Sequence, residues 1–225
     1  KVSLPLGKVM VLETEKEVWK KARVNQQVFK DEKIKTLAKS RCEVKIGKTQ
    51  IVRIGENAVI HLADPTDGDN SISIESGHAW LNAKPGKGQK IKVRTPTAVA
   101  AIRGTKYRAK SGQDESSVLV YQGKVDVNAA KNVIDARKKQ MQQGGQPQGG
   151  GAPKFKLGPV TEVKAPDQVA GPYEVSLEDW VSLVEGMQIN VRKDGKYSMF
   201  KFDQDADDGL DFVKWNKEQD AKDGN

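Results

Sequence analysis

The sequence predicts a mainly β protein: an antiparallel sandwich or solenoid-like stack of sheets over residues 1–137, a flexible Gln/Gly/Pro-rich linker over 138–170, and a small α+β module over 171–225. Three observations carry this expectation. The runs Arg41 to Ile46, Thr49 to Ile54 and Ala58 to Leu62 are short, strand-like and evenly spaced, separated by Gly47-Lys48 and Gly55-Glu56-Asn57. The stretch Ile91 to Asn128 has the period of β structure, with Ile91, Val93 and Thr95 on one face and Lys92 and Arg94 on the other. After Val127 the composition changes, and Lys138 to Gly151 (KKQMQQGGQPQGGG) holds too little apolar surface to order itself.

Taken from the start, Lys8 to Glu13 alternates as a first strand, and Lys16 to Arg23 holds Val18 and Trp19 ahead of a turn at Asn25-Gln26. Gln27 to Thr36 places Val28, Phe29 and Ile34 around the turn-forming Lys30-Asp31-Glu32. Asp64 to Asn70 (DPTDGDN) is a loop by its turn chemistry. Ser71 to Glu75 and His78 to Ala83 read as two strands joined at Ser76-Gly77, with Trp80 as a core anchor. Lys84 to Gln89 (KPGKGQ) is a basic hairpin tip, without the spacing or the hydroxyl of a phosphate-cradling loop.

Pro96 cannot donate to a ladder, so the chain turns or meets a sheet edge there before a second strand, Thr97 to Arg103. The small Ala98, Ala100 and Ala101 let another layer approach; Gly104 then interrupts as a bulge and Thr105 to Ala109 resumes. Val118 to Tyr121 and Lys124 to Asn128 read as a hairpin turning at Gln122-Gly123. Ala129 to Arg137 is expected to add an irregular edge strand through Val133-Ile134. In the last module, Ser176 and Asp179 suit a helix start, and Leu177, Trp180, Val181 and Val184 fall on one helical face ending at Gly186. Met187 to Val191 and Tyr197 to Phe202 form a hairpin about Asp194-Gly195, and Asp208 to Asp220 a second helix with Phe212, Val213 and Trp215. A unit this small is marginal by itself, so it is expected to dock on the β domain.

The ordered string Thr95, Pro96, Ala98, Ala100, Ile102-Arg103-Gly104-Thr105 and Tyr107, followed by Val118 to Val125, resembles the FecR domain family, over about residues 1–130. Trp19 is similarly placed in that family, and some exported FecR-like proteins have a comparable Gly/Pro-rich tract after the domain. The resemblance implies a location in the periplasm or outside the cell, and contact with an envelope protein such as an outer-membrane transducer. The start at Lys1, with neither an initiating Met nor a signal peptide, is expected of a processed or truncated form. With no cytoplasmic anti-sigma segment and no membrane span in sight, the regulator pattern of the family is incomplete.

The 225 residues are long enough to bury a real core, and no run approaches the length needed to cross a bilayer as a helix. The net charge of +8 is unevenly spread: Asp203 to Asn225 has eight acids against three bases, net −5, which leaves +13 on residues 1–202. The lysines are scattered singly, without interleaved aromatics or a nucleic-acid-binding motif, so a solvated face is preferred to a nucleic-acid surface. Cys42 allows no internal disulfide and reads as a small buried apolar residue.

No catalytic constellation is visible and no cofactor is called for. His61 and His78 lie in strand-like runs without metal-ligand partners. Asp203, Asp205 and Asp207 alternate as in a calcium loop, but Gly209 comes one place late and Lys214 stands where the last acid belongs, so an acidic, capped helix entry is the preferred reading. Arg103 either grips a carboxylate ligand or ties loop carbonyls across a sheet, and the structural role is preferred. Lys92, Arg94, Arg103, Lys106 and Arg108 form the candidate partner-binding set, biased toward an acidic partner. The expected function is a non-enzymatic binding or signal-relay module of the bacterial envelope; the alternative is a cell-wall or surface protein that binds glycan.

Overall fold

The computed structural model describes residues 1–13, 17–29, 32–47, 50–61, 70–83, 91–143 and 180–223. The loop at 64–69, the hairpin tip at 84–89, the turn residues Lys30-Asp31, the linker from residue 144 onward and the helix start at Ser176 to Asp179 lie outside the described residues. The strands are β1 (Val2–Leu6), β2 (Val9–Glu13), β3 (Val18–Lys21), β4 (Lys33–Thr36), β5 (Arg41–Ile46), β6 (Gln50–Ile54), β7 (Val59–His61), β8 (Asn70–Ala83), β9 (Ile91–Arg94), β10 (Ala98–Ser111) and β11 (Glu115–Ala129). Helix α1 (Lys131–Gln143) follows, then β12 (Val181–Val184), β13 (Met187–Arg192), β14 (Tyr197–Lys201), α2 (Gln204–Asp208) and α3 (Asp211–Lys222).

The fold is mainly β, and all pairings among the described residues are antiparallel except that of β8 with β9. It is organised by three long strands, each of which changes neighbours along its length. The first part of β8 pairs with β7 and β9, and its second part with β6 and β10. In the same way β10 passes from β9 to β8 while staying on β11, and β11 passes from β13 to β12. The result is two sectors, β1-β5-β6-β8-β10-β11-β13-β14 and β3-β2-β4-β7-β8-β9-β10-β11-β12, joined by β8, β10 and β11. One apolar cluster serves both, with Val44, Val52, Leu81 and Val120 from the first and Val11, Ile34, Ile60 and Val127 from the second.

The bends fall at glycines. Gly77 (φ +85°) directly follows the one-residue slip of the β7–β8 register between Ile74 and Ser76, and a Cβ on Gly77 would lie 2.4 Å from that of Ala58. Gly104 (φ +63°) and Gly123 (φ +86°) face each other where the β10–β11 register slips between Arg103 and Tyr107. Two sequence expectations are corrected here. Ser76-Gly77 and Gln122-Gly123 are bulges inside continuous strands, because a positive φ serves a bulge as well as a turn. The true β10–β11 turn is at Gly112, whose N–H donates to the Glu115 carbonyl at 2.9 Å.

Two further stretches change class. Val133-Ile134 lies in α1, where Val133 packs on the main core, and the helix takes in 138–143. Val181 to Val184 is strand β12, paired with Lys124 to Val127, because the open edge of β11 offers backbone partners that a short amphipathic helix would forgo. β1 has no counterpart in the sequence reading. Pro5 pairs opposite Cys42 on a strand whose only partner among the described residues is β5, an edge position that tolerates proline.

Opposed glycines give an ordered expectation. A Cβ at Gly123 would lie 2.6 Å from Thr105 Cγ2 and 2.7 Å from the Gly104 carbonyl oxygen, whereas one at Gly104 meets nothing within 4 Å. Gly104→Val should therefore cost about 1–2 kcal/mol from backbone strain alone, and Gly123→Val about 3 kcal/mol or more. Urea unfolding of the two variants checks the order; equal costs would show that the close approach is relieved without strain.

Candidate functional site

In the first sector, strand alternation sends Cys42, Val44, Val52, Ile54, Ala79, Leu81, Tyr107 and Val120 into the main core. Their neighbours Arg41, Glu43, Arg53, His78, Trp80, Asn82, Lys106, Arg108 and Tyr121 therefore lie on the opposite face, which is basic and aromatic. Helices α2 and α3, from the acidic end of the sequence, cover it.

Arg53 is the centre of the contact and has no exposed surface. Its Nε donates to Glu43 at 2.8 Å, one terminal nitrogen to Asp220 at 2.5 Å and the other to Asp223 at 2.6 Å. Asp220 also accepts from Trp80 Nε1 at 3.2 Å and Asn82 Nδ2 at 3.0 Å, with Lys106 Nζ at 3.9 Å. A planar guanidinium with five donors suits this fork of carboxylates, and each charge taken from water is met. Burial pushes the Glu43 carboxyl up, but hydrogen bonds from Ser3 and Arg53 outweigh it and hold the group below its ordinary range. Burial likewise opposes the Arg53 charge, and the bonds to Glu43 and Asp220 more than restore it.

A second buried pair, Arg108 with Asp207, lies further along the face; Tyr121 Oη also donates to Asp207. At the other side Arg41 pairs with Asp211 and stands over the rings of Phe212 and Trp215. His78 stacks on Phe212 with centroids 4.3 Å apart, and Trp80 lies against Tyr121 at 4.4 Å. Burial, with Arg108 and Lys110 nearby, pulls the His78 pKa from 6.5 to about 4, against a smaller opposing effect of Glu56. A cleft of about 350 Å³ remains between helices and sheet, lined among others by Lys106, Gln122, Glu185, Gln204 and Lys217.

The five basic residues picked out in the sequence are not brought together. Arg108 is buried and held by Asp207, so it leaves the set available to a partner. Lys106 lines the cleft under α3. Lys92 and Arg94 lie on β9, which is flanked by β8 and β10 and is no edge; Arg94 lines a different cleft, of about 300 Å³, beside Pro96 and Asn132. Arg103 lies on β10 opposite Lys124. Pro96 marks the β9–β10 turn, closed by Thr95 and Ala98, whose backbone and side chain exchange hydrogen bonds of 2.8 to 3.1 Å.

Asp203, Asp205 and Asp207 do not converge. Asp203 caps α2 by accepting from the Ala206 N–H at 3.0 Å, Asp205 is in its first turn, and Asp207 points at Arg108. Among the described residues no group of three or more His, Cys, Asp or Glu is placed to hold a metal ion. Cys42 is fully buried, and burial pushes its thiol up to about 12, where it is a poor nucleophile at neutral pH. The residues that sequence reasoning missed are Arg53, Glu43, Asp220 and Asp223. The signal for them was the charge asymmetry: an acidic end and a basic body in one chain are complementary surfaces.

The family model described as FecR protein matches residues 32–126, which lie within the mainly β body. Two crystal structures, at 1.65 and 2.50 Å, of a candidate anti-sigma factor from Parabacteroides distasonis are similar in fold, each with 17% identity and a TM-score of 0.50. Each likeness covers 76% of this chain and 60% of the other, so this chain spans less than two thirds of those proteins. No curated protein matches in sequence.

Two measurements test the site. Asp220→Ala leaves the buried Arg53 with fewer charges than it needs and should cost about 3 kcal/mol, whereas Arg53→Met/Asp220→Leu should recover most of that in chemical unfolding. The folded His78 resists protonation that the unfolded chain accepts, so its contribution is complete above pH 6.5 and is lost as pH falls toward 4, by about 3 kcal/mol at most. Glu43, depressed in the fold, adds loss only below its ordinary value of 4.5. His78→Gln should flatten the slope between pH 6.5 and 4.5; an unaltered slope would assign it to other groups.

Proposed function

We propose that the chain is a non-enzymatic, extracytoplasmic binding and signal-relay module of the bacterial envelope, which contacts a protein partner by taking up an extended segment at the edge strand β14. The FecR domain and the fold shared with a candidate anti-sigma factor support a regulatory role. Among the described residues no helix is long and apolar enough to cross a membrane.

The edge is the observation that carries the reading. Among the described residues β14 pairs only with β13, and its Phe200 is 40% exposed. Phe202 N–H donates to the Gly186 carbonyl and Arg192 N–H to that of Lys196, so Ser198 and Phe200, in step with them, face β13. Tyr197, Met199 and Lys201 then turn their N–H groups to the open side, where a partner strand would meet them. The opposite edge, β3, is guarded: Val18 is followed by Trp19, Lys20 and Lys21, with Lys35 over the Trp19 ring at 5.7 Å and Lys20 paired with Glu13. Lys92, Arg94, Arg103 and Lys106 add to a positive field that favours an acidic partner and makes association salt-sensitive.

To test this, envelope extract is passed over immobilised wild type and over Phe200→Asp/Lys201→Pro, which charges the edge and removes an outward N–H without touching the β13 ladder. A protein recovered by the wild type should be depleted at least about 10-fold on the variant. Equal recovery, or recovery of glycan and no protein, would overturn the reading.

A further inference from the structure

We propose that the outer face carrying Arg41, Arg53, Trp80 and Arg108 is a second docking site, for an acidic, aromatic helix of a protein partner, and that α2–α3 is its built-in, displaceable occupant. This rests on the reading of the chain as a protein-binding module, but concerns a different surface from the β14 edge.

The two layers of the C-terminal region are held differently. Leu183, Ile189, Val191 and Tyr197, from β12 to β14, belong to the main apolar core. The helices do not: Phe212 and Val213 form a separate small cluster with Trp80, flanked by Tyr121 and Trp215. No strand pairing joins α2 or α3 to the sheet. Among the described residues the face reaches helix backbone through Arg53, which donates to the Asn216 carbonyl at 3.4 Å; its other contacts are ion pairs, side-chain hydrogen bonds and ring contacts. Undocking the helices therefore leaves the main core whole and returns the arginines to water, where a free guanidinium is at home.

Receptor and ligand also come from different parts of the sequence. Arg41, Arg53, Trp80 and Arg108 lie within residues 32–126, the FecR match, whereas Asp207, Asp211, Asp220 and Asp223 lie beyond it. The face thus specifies its occupant: carboxylates three residues apart for the Arg53 fork, and an aromatic two turns earlier for His78 and Arg41. A partner helix with that pattern competes for the face with the chain's own tail, and the fraction of time the tail is undocked sets the apparent affinity.

The probe is a fluorescein-labelled peptide of residues 203–223, added to the full chain and followed by anisotropy. Asp207→Asn/Asp220→Asn, which weakens the tail and leaves the face intact, should bind it at least about 10-fold tighter than wild type, and less tightly as salt rises. Adding Arg53→Gln/Arg108→Gln should abolish the gain. Equal binding by wild type and the weakened chain, with circular dichroism showing the sheet intact, would overturn the proposal, as would a gain that survives loss of the arginines. If the weakened chain does not fold, hydrogen exchange of the wild type decides: α3 amides exchanging through an opening separate from that of β8 and β10 support displacement, and exchange in common with them overturns it. Failure here, with a protein recovered by the wild type and depleted on the edge variant, leaves the protein-binding reading standing; failure of both removes it.

Discussion

A strand that exchanges one set of partners for another along its length must bend without losing its ladder, and three strands of this protein do so. At Gly77, Gly104 and Gly123 the backbone takes positive φ, and at the first and last of these the space a side chain would fill is already occupied. Ordinary residues resist that conformation, so the bends are fixed where the glycines are. The rest follows from them. Because β8, β10 and β11 are shared, the sectors cannot separate without breaking three strands, and a single apolar cluster is buried by both.

The same strands account for the outer face. A bulge advances the side-chain alternation by one, so residues on either side of it need not keep the same sense. After Gly77, His78, Trp80 and Asn82 turn away from the core while Ala79 and Leu81 face it; after Gly104, Lys106 and Arg108 turn away while Tyr107 and Ala109 face it. Aligned across neighbouring strands and joined by Arg41 and Arg53, these residues make a surface with more cations than Glu43 can balance. The acidic end of the chain answers that imbalance locally, so much of the net charge difference between the two parts of the sequence is neutralised by contact rather than spread over the surface.

Most strands were legible in the sequence because burial on one face enforces period two: Arg41–Ile46 stands as read, and the 187–202 hairpin forms at Asp194-Gly195. What misled was local chemistry with two tertiary outcomes. Gly123 has the φ of a hairpin turn and the job of a bulge; Val181 to Val184 has a helical stripe and the job of a strand. In both, the deciding fact is a partner far away in sequence, Arg103 to Tyr107 for one and Lys124 to Val127 for the other. The candidate site was less legible still. Arg108 was read as a cation offered to an acidic partner because an exposed arginine and one held by a carboxylate 99 residues away look alike in sequence.

Arg53 shows what that distance means physically. On a sheet with nothing above it, an arginine flanked by Glu43 would sit in water, and its pair with that one carboxylate would contribute little. Under α3 it has no exposed surface, and its two terminal nitrogens donate to Asp220 and Asp223 while Nε stays on Glu43. The helix therefore converts a weak surface pair into a demanding buried cluster, and the cost of dehydrating that cluster offsets much of its attraction. Stability and recognition part company at this point: apolar burial in the main core fixes the sandwich, while the charged cluster fixes where, and in what register, an acidic helix can lie on it. A contact of that kind is specific without being strong.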